Sequence, residues 1–552
     1  MRVPLRWLSE WIELPAPALL AEQLTMAGLE VDAVEHTGPD LTPFRVGRVV
    51  ACERHPDADR LSVCSVDLGE GDPLSIVCGA PNVAAGQKVA VALPGARLAT
   101  GVKLKRSKIR GVPSEGMICA ADELGLGDDH EGILVLEGEA PVGAPLTSLL
   151  QAGETVLDVA VLPNRGDCLS LLGMAREVRA LFGGEIRLPD CQPAESGRRT
   201  NQDVRVALEA PEACHHYVAR VVRGVQVGPS PEWLRAKLEA AGLRSIDVVV
   251  DVTNLVLLEF GQPLHAFDLG KLRGGEVRVR LAGEGETFTT LDGALRKLTR
   301  RDLLITDAER IVALAGVMGG ANTGVDPSTR DVLLESAHFH PAWIRHTGRR
   351  LGLFTDASMR FERGVDGEGV ARAAERAARL LAELAGGEVS EGVVEARGEP
   401  AEHADEVVIA PERVNRVLGT ELSARDIERC LSRVGLESQA AGDSLRCRIP
   451  SYRNDLSIPE DLIEEVARIH GYDEIPTREL RARLVPGERP VAWWLVERVR
   501  DALESEGLVE LLCLPFVDAR DLDRLGLAGD DPRREPIRVQ NPIVENESHL
   551  RS

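Results

Sequence analysis

Six carboxylates crowd the stretch SYRNDLSIPEDLIEEVARIHGY and the position that follows it. They are Asp455, Glu460, Asp461, Glu464, Glu465 and Asp473, all within residues 451–473. Ser457 and Glu460 have the spacing of a capping box, which predicts that a helix begins here. On that helix Asp461, Glu464 and Glu465 would stand at i, i+3 and i+4 and share one face. Oxygen ligands with room for water suit Mg²⁺, so the spacing fits either a magnesium site or a solvated acidic face.

A second stretch, LPNRGDCLSLLGMAREVRALFG at residues 162–183, aligns without gaps on residues 450–471 when the two R-x-D triplets are matched. The aligned pairs are Arg165 with Arg453, Asp167 with Asp455, Glu177 with Glu465, Gly173 with Asp461, and Arg176 with Glu464. The shared skeleton predicts that one small fold occurs twice. Two of the acids have no acidic counterpart, so the fold itself is not expected to require them.

Four short segments within residues 204–400 carry groups that could take part in hydrolysis: LRSID, GQPLHAFD, VLLESA and FTDAS. Their candidates are Arg244, His265, Glu335, Thr355 and Ala357. Taken singly each is weak evidence, because a lone histidine in a proline-containing loop is more often structural. The HFH triplet at 338–340, with His346, lacks the cysteine or acid that would complete a zinc site. No serine or cysteine nucleophile with a paired base is evident, so hydrolysis here would use a water molecule.

Basic residues concentrate in the segment GVKLKRSKIRG at residues 101–111. They are Lys103, Lys105, Arg106, Lys108 and Arg110. Their partial alternation predicts one face of a strand. Such a patch could bind phosphates by releasing counterions. A charged strand that faces only solvent fits the same pattern.

The bulk composition limits the class of protein that carries these groups. A chain of 552 residues is too long for one core, so several domains are expected. Hydrophobic residues make up 44% of the chain, and no apolar run reaches the ~20 residues that span a bilayer. Ten scattered cysteines without a C-x-x-C pair indicate reduced thiols and a cytoplasmic location. With a net charge of −23, the chain can bind a polyanion only at a local basic patch.

The texture of the sequence changes along the chain and predicts a multidomain α+β protein. From residue 44 onward, short β-branched runs separated by Gly and Pro have the spacing of a small barrel. Polar segments at 190–203 and after residue 477 are predicted linkers. The predicted domains are residues 1–38 together with 149–190, 39–148, 204–400, 402–477 and 478–552.

Six longer motifs occur in a fixed order along the chain. They are FRVGRVVACERHPDADRL, IRGVPSEGMICAADELGLG, VVDVTNLVLLEFGQPLHAFD, LAGVMGG, FTDASMRFERGVD and PSYRNDLSIPEDLIEEVARIHGYDEIP. Together they resemble the β subunits of bacterial phenylalanyl-tRNA synthetase, and the resemblance covers the whole chain. It implies an OB-fold tRNA-binding barrel at 39–148 inserted in a small domain, an editing domain at 204–400, a second small domain at 402–477 and the start of a synthetase-like module from 478. The final segment, NPIVENESHLRS, resembles the opening of that module, so a truncated chain is expected.

The resemblance also assigns chemistry to the candidate residues. It implies a Mg²⁺ shared with the alpha subunit and held by Asp455, Asp461, Glu464 and Glu465. It further implies that the basic barrel residues contact RNA, although no base contact is assigned to any of them. These assignments favour the magnesium site over the solvated acidic face.

An editing site that removes wrongly attached tyrosine is a further implication of the resemblance. A pocket for Phe excludes Tyr poorly, whereas a second site built to bind the hydroxyl is left with an unpaired polar group by Phe. The resemblance implies that Glu335 reads the Tyr hydroxyl and that Arg244 holds the adenosine. His265, Thr355 and the backbone near Gly316 and Gly319 would surround the ester, and Ala357 would line the pocket into which Glu335 points. Phe354 stands where relatives often have His.

Partners and cofactors follow from the same resemblance. We expect a heterotetramer of two alpha and two beta chains that binds tRNA(Phe), uses Mg²⁺ and contacts no membrane. ATP and Phe would be bound by the alpha subunit, while this chain supports charging and hydrolyses Tyr-tRNA(Phe). The alternative is a non-catalytic OB-fold tRNA-binding or assembly protein with an inactive hydrolase-like domain. A neighbouring reading frame that encodes the alpha subunit would favour the first interpretation.

Overall fold

A computed structural model describes the chain apart from residues 40, 70, 127–130, 137–140, 149–152, 401–402, 478, 480–486 and 552. The predicted linker after residue 477 lies mostly outside the described residues, and the predicted boundary between 148 and 149 lies at the edge of them. The chain divides into two compact units, Met1–Thr477 and Arg478–Ser552.

The helices and strands of the described residues are numbered in chain order. Helices α1 to α14 are Leu5–Trp11, Pro17–Met26, Ala121–Leu124, Leu171–Phe182, Glu232–Ala240, Val248–Phe260, Pro341–Leu351, Asp356–Arg363, Val370–Ala385, Pro411–Leu418, Ala424–Arg433, Pro459–His470, Val491–Ser505 and Ala519–Arg524. Strands β1 to β28 are Arg2–Pro4, Val31–Thr37, Phe44–His55, Ala58–Asp67, Leu74–Cys78, Lys88–Ala92, Ser107–Ile109, Val112–Ser114, Met117–Ile118, Glu154–Val159, Glu195–Arg199, Arg205–Leu208, Cys214–Arg223, Leu264–Asp268, Glu276–Leu281, Thr287–Thr289, Leu295–Lys297, Leu303–Thr306, Ile311–Leu314, Met318–Gly319, Val332–Phe339, Glu388–Glu391, Val394–Arg397, Glu406–Ile409, Glu437–Ala441, Ser444–Arg448, Phe516–Val517 and His549–Leu550.

The two aligned stretches belong to small folds with the same strand and helix order. In the first, the edge strands β1 and β2 are separated by α1 and α2, and β10 pairs between them before α4. In the second, the edge strands β24 and β25 are separated by α10 and α11, and β26 pairs between them before α12. The first copy differs in that the segment containing β3 to β9 is inserted before its central strand.

That inserted segment is built on an antiparallel sheet with the strand order β5-β4-β3-β6-β9. β3 is its long central strand and pairs β4 on one side and β6 on the other. Alternate residues of β3 and β6 are buried in two apolar clusters, one around Phe44 and Val46 and the other around Val49 and Val91. Assignment of this segment as an OB fold stays a prediction.

The middle of the chain stacks two sheets with helices on one outer face. One sheet has the order β11-β22-β13-β21-β14, with β23 pairing β13, and the other has the order β12-β15-β18-β19-β20. Successive residues of β21 alternate between two cores, because strand side chains point to opposite faces. Leu334 packs with α6 and α9, whereas Leu333 packs against the second sheet. β13 and β21 are buried on both faces for this reason.

The second unit contains α13, α14 and the paired strands β27 and β28. Its helix α13 carries apolar side chains that are exposed in this chain, including Leu495 and Val499. Within the described ranges, every helix is too short or too polar to cross a membrane.

Candidate functional site

The register of two paired strands brings two of the predicted residues together. His265 on β14 lies directly opposite Glu335 on β21. His265 is therefore a strand residue and not, as predicted, a loop residue. Glu335 is the fourth residue of an eight-residue strand. Because it shares a face with Leu333, its side chain points towards the second sheet.

Glu335 is a buried acid with one hydrogen bond. Only 7% of the surface of Glu335 is exposed. The hydroxyl of Tyr217, which is fully buried on the neighbouring strand β13, donates a hydrogen bond of 2.7 Å to Oε2 of Glu335. Burial raises the pKa of Glu335 to about 7, although the hydrogen bond from Tyr217 opposes that rise. Sequence reasoning missed Tyr217, which no motif or spacing distinguishes from an ordinary core residue of a strand.

His265 faces the same space as a neutral imidazole. Burial lowers its pKa to about 4, and its Nε2 has no hydrogen-bond partner within the described part of the chain. Its ring stands edge-on to Phe267, with ring centroids 4.4 Å apart. A Cβ on Gly319 would lie 2.5 Å from His265 Cε1, so only glycine lets this backbone pass so close to the imidazole.

A cleft of about 100 Å³ lies between these elements. It is lined by Pro263, Leu264, His265, Ala313, Leu314, Gly316, Val317, Met318, Gly319, Glu335, Ala357 and Phe361. Thr355 supports this cleft without lining it. Its hydroxyl accepts a bond from the Ser358 N–H at the start of α8 and donates one of 3.0 Å to the Val317 carbonyl. The volume suits a side-chain ring and not a whole nucleotide.

Two predicted neighbours of this cleft lie elsewhere in the described structure. Arg244 is exposed on the loop between α5 and α6 and is not among the lining residues. Phe354 precedes α8, is exposed, and is likewise absent from the lining. The structure therefore brings together Glu335, His265, Gly319 and Ala357, with Thr355 behind them.

The chemistry available in this cleft is narrow. An apolar slot contains one buried carboxylate that can accept a hydrogen bond and one neutral imidazole that can hold a water or hydroxyl. A small aromatic ring with a hydroxyl group fits this combination, because the hydroxyl would satisfy the buried acceptor.

The carboxylates of the four predicted magnesium ligands do not converge on one site in the described structure. Arg453 binds Asp455 at 2.8 Å and Glu465 at 2.7 Å. Glu465 is buried on α12, whereas Glu464 beside it is exposed, so the predicted common face is wrong. The reason is that Glu465 turns inward to meet Arg453 and Arg468.

Asp461 has a structural role at the start of α12. Its Oδ2 accepts bonds from the backbone N–H groups of Ser457 at 2.7 Å and Ile458 at 2.9 Å. The predicted capping box between Ser457 and Glu460 is therefore wrong, because Asp461 satisfies these donors and Glu460 instead pairs with Arg413.

One group of potential metal ligands is compact among the residues that the structure describes. Asp167, Cys168 and Glu177 have ligand atoms within 4.8 Å of one another. The Arg165 guanidinium binds Asp167 at 2.9 Å and Glu177 at 2.7 Å, so an arginine already supplies the cation. No three of the four predicted magnesium ligands converge in this way within the same described ranges. Ligands from outside this chain would have to complete a magnesium site.

The five basic residues of segment 101–111 are all exposed, but they do not lie on one strand. Lys108 is the centre of the short strand β7, and Arg110 occupies the turn to β8 with φ +44. The predicted strand face is therefore wrong, since a loop and a hairpin carry these side chains. Arg106 lies 3.9 Å from Glu115, which is its ion-pair partner.

A second exposed basic pair lies near this hairpin. His55, the last residue of β3, has Nε2 3.1 Å from the Ile109 carbonyl oxygen, so this end of β3 and the hairpin are in contact. Arg54 and Arg60 flank the turn between β3 and β4 and are exposed. The basic surface thus extends beyond the segment that the sequence indicated.

Four protein families match successive parts of the chain. They are the putative tRNA binding domain at residues 44–145, the B3/4 domain at 213–386, the tRNA synthetase B5 domain at 407–472 and the phenylalanyl tRNA synthetase beta chain CLM domain at 475–552. These matches agree with a multidomain protein of mixed α and β structure.

Several curated proteins are similar over the whole chain. The phenylalanine–tRNA ligase beta subunit of Syntrophus aciditrophicus is 44% identical over 556 residues, and that of Moorella thermoacetica is 47% identical over 563 residues. Both matches cover 100% of this chain and 69% of the relative. A solved N-terminal fragment of the phenylalanyl-tRNA synthetase beta-subunit from Pyrococcus horikoshii is 17% identical, with a TM-score of 0.30, over 58% of this chain and 87% of the fragment. A TM-score of 0.30 is too low to support a conclusion about the fold.

Proposed function

Because this chain belongs to the phenylalanine–tRNA ligase beta subunit family, we propose that it edits mischarged tRNA(Phe) in the cleft around Glu335. The family resemblance predicted from the motifs is thereby confirmed. We further propose that the chain binds tRNA(Phe) and supports charging by an alpha subunit, which binds ATP and Phe. The assembly would be a cytoplasmic heterotetramer of two chains of each kind.

One observation carries the editing proposal: Glu335 already accepts a hydrogen bond from a tyrosine hydroxyl, that of Tyr217, at 2.7 Å. The carboxylate therefore stands in an environment that can receive a phenol group. Tyr217 engages Oε2, which leaves Oε1 for a second donor. A Tyr side chain in the cleft would supply that donor, whereas a Phe side chain would not.

Hydrolysis of the ester would use uncharged groups, namely the His265 imidazole and backbone N–H donors. His265 has a free Nε2 beside the Gly319 backbone, where it can orient a water molecule or a ribose hydroxyl near the ester. Because burial keeps its imidazole uncharged, Nε2 can accept a hydrogen bond from that water molecule or hydroxyl. In the 315–319 backbone, Ala315 and Val317 already donate their N–H groups to the Leu303 and Leu314 carbonyls, so we assign the N–H groups of Gly316 and Gly319 to the developing oxyanion. Thr355 holds that backbone to α8.

The test is deacylation of preformed Tyr-tRNA(Phe) and Phe-tRNA(Phe) by this chain, alone and after co-purification with the alpha subunit. We expect faster release of Tyr than of Phe. Binding of tRNA(Phe) without any deacylation would instead support the alternative, a non-catalytic tRNA-binding protein.

Neutralising the basic hairpin should weaken tRNA binding. Changing Lys103, Lys105 and Lys108 to Gln is expected to flatten the log–log dependence of tRNA(Phe) affinity on salt by up to about 2.7, since each lost phosphate contact contributes about 0.9 or less. Filter binding across a salt series measures this slope. The matched control changes exposed Arg416 and Arg425 on α10 and α11, and an unaltered slope in the Lys variant would mean that the hairpin faces solvent.

The magnesium assignment remains a proposal and rests on the two acids that arginine does not neutralise. Asp461→Asn with Glu464→Gln should weaken Mg²⁺ binding to the assembled complex at least about tenfold. Asn retains the helix-capping acceptor, so α12 should still form. Calorimetric titration with Mg²⁺ measures the effect.

Controls for this experiment must avoid the positions aligned in the first copy. A Cβ on Gly173 would lie 1.9 Å from the Asp167 carbonyl oxygen, and Arg176 stacks 3.5 Å above the Tyr452 ring. Glu412→Gln with Asp443→Asn removes the same charge from exposed positions of the second copy. If both double variants bind Mg²⁺ equally well, the acids of α12 are not ligands.

A further inference from the structure

Helix α7 presents arginines that have no partner in the described structure. Arg345 and Arg349 lie one turn apart on α7 and are both exposed. Neither side chain forms a hydrogen bond or an ion pair with any residue that the structure describes, unlike that of Arg350 beside them, which binds the Lys297 carbonyl and Asp302. In a chain whose net charge is −23, two unpaired arginines on one helical face are a local exception.

The two arginines line a groove that continues through two adjoining depressions. One, of about 740 Å³, also contains His340, His346, Arg350 and Glu362. The other, of about 500 Å³, contains Arg363, Asn164, Asn454 and a second acid, Asp455, in addition to the shared Arg345, Arg349 and Glu362. Arginines outnumber acids along this surface, here called the α7 groove.

The α7 groove and the editing cleft lie on one short helix. Ala357 and Phe361 of α8 line the cleft, whereas Glu362 and Arg363 of the same helix line the groove. A helix of eight residues is about 12 Å long. A ligand held in the groove is therefore close enough to extend into the cleft.

We propose that the α7 groove binds the phosphates of the single-stranded 3′ end of tRNA and so delivers the aminoacyl ester to the cleft. The inference rests on the proposed editing function, because a site with room for one side chain needs a separate hold on the nucleic acid that carries it. Arginine is the side chain best suited to phosphate, which it can bind through two N–H donors at once. Exposed and unpaired guanidinium groups are free to do so.

The experiment compares Arg345→Gln/Arg349→Gln with the matched variant Arg416→Gln/Arg425→Gln, which removes two exposed helical arginines elsewhere in the same unit. Each is purified with the alpha subunit, and its affinity for intact tRNA(Phe) is measured between about 50 and about 200 mM salt. The α7 variant should bind about tenfold more weakly, with a log–log slope reduced by up to about 1.4, as expected for two contacts to a single strand. The matched variant should keep both values.

Two further measurements separate the possible outcomes. With tRNA(Phe) trimmed of its single-stranded 3′ end, the α7 variant and the wild type should bind equally. Glu362→Gln removes the acid that lines both depressions, whereas the other acid, Asp455, is bound by Arg453, so this change should tighten binding of intact tRNA. An equal loss on trimmed and intact tRNA, an unaltered slope, or loss of the alpha subunit instead of tRNA would each overturn the proposal.

The deacylation assay distinguishes failure of this inference from failure of the editing proposal. The α7 variant should raise the KM for Tyr-tRNA(Phe) while retaining kcat, because it leaves the cleft unchanged. If the wild type does not deacylate Tyr-tRNA(Phe) at all, the editing proposal is wrong, although the groove can still be tested by binding.

Discussion

Glu335→Ala is expected to lower the ratio of Tyr-tRNA(Phe) to Phe-tRNA(Phe) hydrolysis by roughly ten- to hundredfold. A charge-assisted hydrogen bond between the carboxylate and a Tyr hydroxyl contributes about 1.5–3 kcal/mol, and Phe makes no such bond. The loss should therefore fall on Tyr-tRNA(Phe), with Phe-tRNA(Phe) comparatively spared. His265→Ala should slow both substrates with less change in their ratio, because its proposed role is at the ester, which both substrates share. Single-turnover deacylation of both substrates measures these rates.

Two variants control for damage to the fold. Glu335→Ala also leaves the buried Tyr217 hydroxyl without its acceptor, at a cost of about 1–3 kcal/mol in stability. Glu335→Gln keeps an acceptor for Tyr217 and removes only the charge, so it should reduce selectivity without that cost. Glu259→Ala removes another buried carboxylate, which pairs with Arg376 outside the cleft, and should leave the ratio unaltered. Equal slowing of both substrates by Glu335→Ala would make Glu335 a scaffold residue.

The same carboxylate should make selectivity depend on pH. Burial raises the pKa of Glu335 to about 7, so the fraction of ionised acceptor increases as the pH rises through that value. The groups that face it are Tyr217 and Cys214 from β13 and His265 from β14, and only Glu335 changes charge in this range. The Tyr-to-Phe ratio should therefore rise across about pH 7. Tyr217→Phe removes a bond that stabilises the charge, so it should move the midpoint upward.

The cleft shows what strand periodicity can and cannot predict. The motifs indicated His265 and Glu335 separately, but only the register of β14 against β21 places them face to face. Pairing register depends on long-range packing, which a single sequence does not reveal. Tyr217 could not have been predicted, because a tyrosine in an apolar strand is typical of an ordinary core. The close passage of the backbone at Gly319 likewise requires the second sheet to be in position.

The acidic stretch is a different case, because the sequence contained a signal that was interpreted incompletely. The alignment of the two copies matched Arg165 with Arg453 as well as the acids around them. In each copy, the arginine of the R-x-D triplet binds both the aspartate of that triplet and the glutamate of the following helix. The repeat therefore contains the three residues that such an ion-pair network needs. Spacing and the family resemblance both group Glu465 with the candidate metal ligands, yet it binds an arginine in the structure, as its aligned partner Glu177 does. Spacing along a helix does not show which face is covered by a second domain.

Arg468→Met is expected to destabilise the paired repeats by about 3–5 kcal/mol. Arg468 binds Glu465 of its own copy and Glu177 of the other copy, each at 2.6 Å, and all three side chains are buried. Removing the guanidinium leaves each of these buried carboxylates with one arginine in place of two, Arg165 for Glu177 and Arg453 for Glu465. Hydrogen exchange on peptides that cover α4 and α12 measures the local free energy of opening.

Matched variants show whether charge or packing is responsible. Arg429→Met breaks the exposed pair with Asp426 and should change exchange by less than about 0.5 kcal/mol. Adding Glu177→Gln to Arg468→Met should recover part of the loss, because it removes one of the four carboxylates that the two remaining arginines, Arg165 and Arg453, have to neutralise. If the double variant is no more stable than Arg468→Met alone, lost packing of the long side chain explains the effect and the ionic account is wrong.

The pKa shifts in this network have the opposite direction to that of Glu335. Burial alone would raise the pKa of Glu465, but Arg453 and Arg468 outweigh it and hold that pKa well below the ordinary value of 4.5. The pKa of Glu177 is lowered for the same reason by Arg165 and Arg468. A lowered folded-state pKa contributes stability above about pH 4.5 that is lost as the pH falls. The difference between wild type and Arg468→Met should therefore be largest near neutral pH and shrink in acid, whereas a purely steric role for Arg468 would leave it constant.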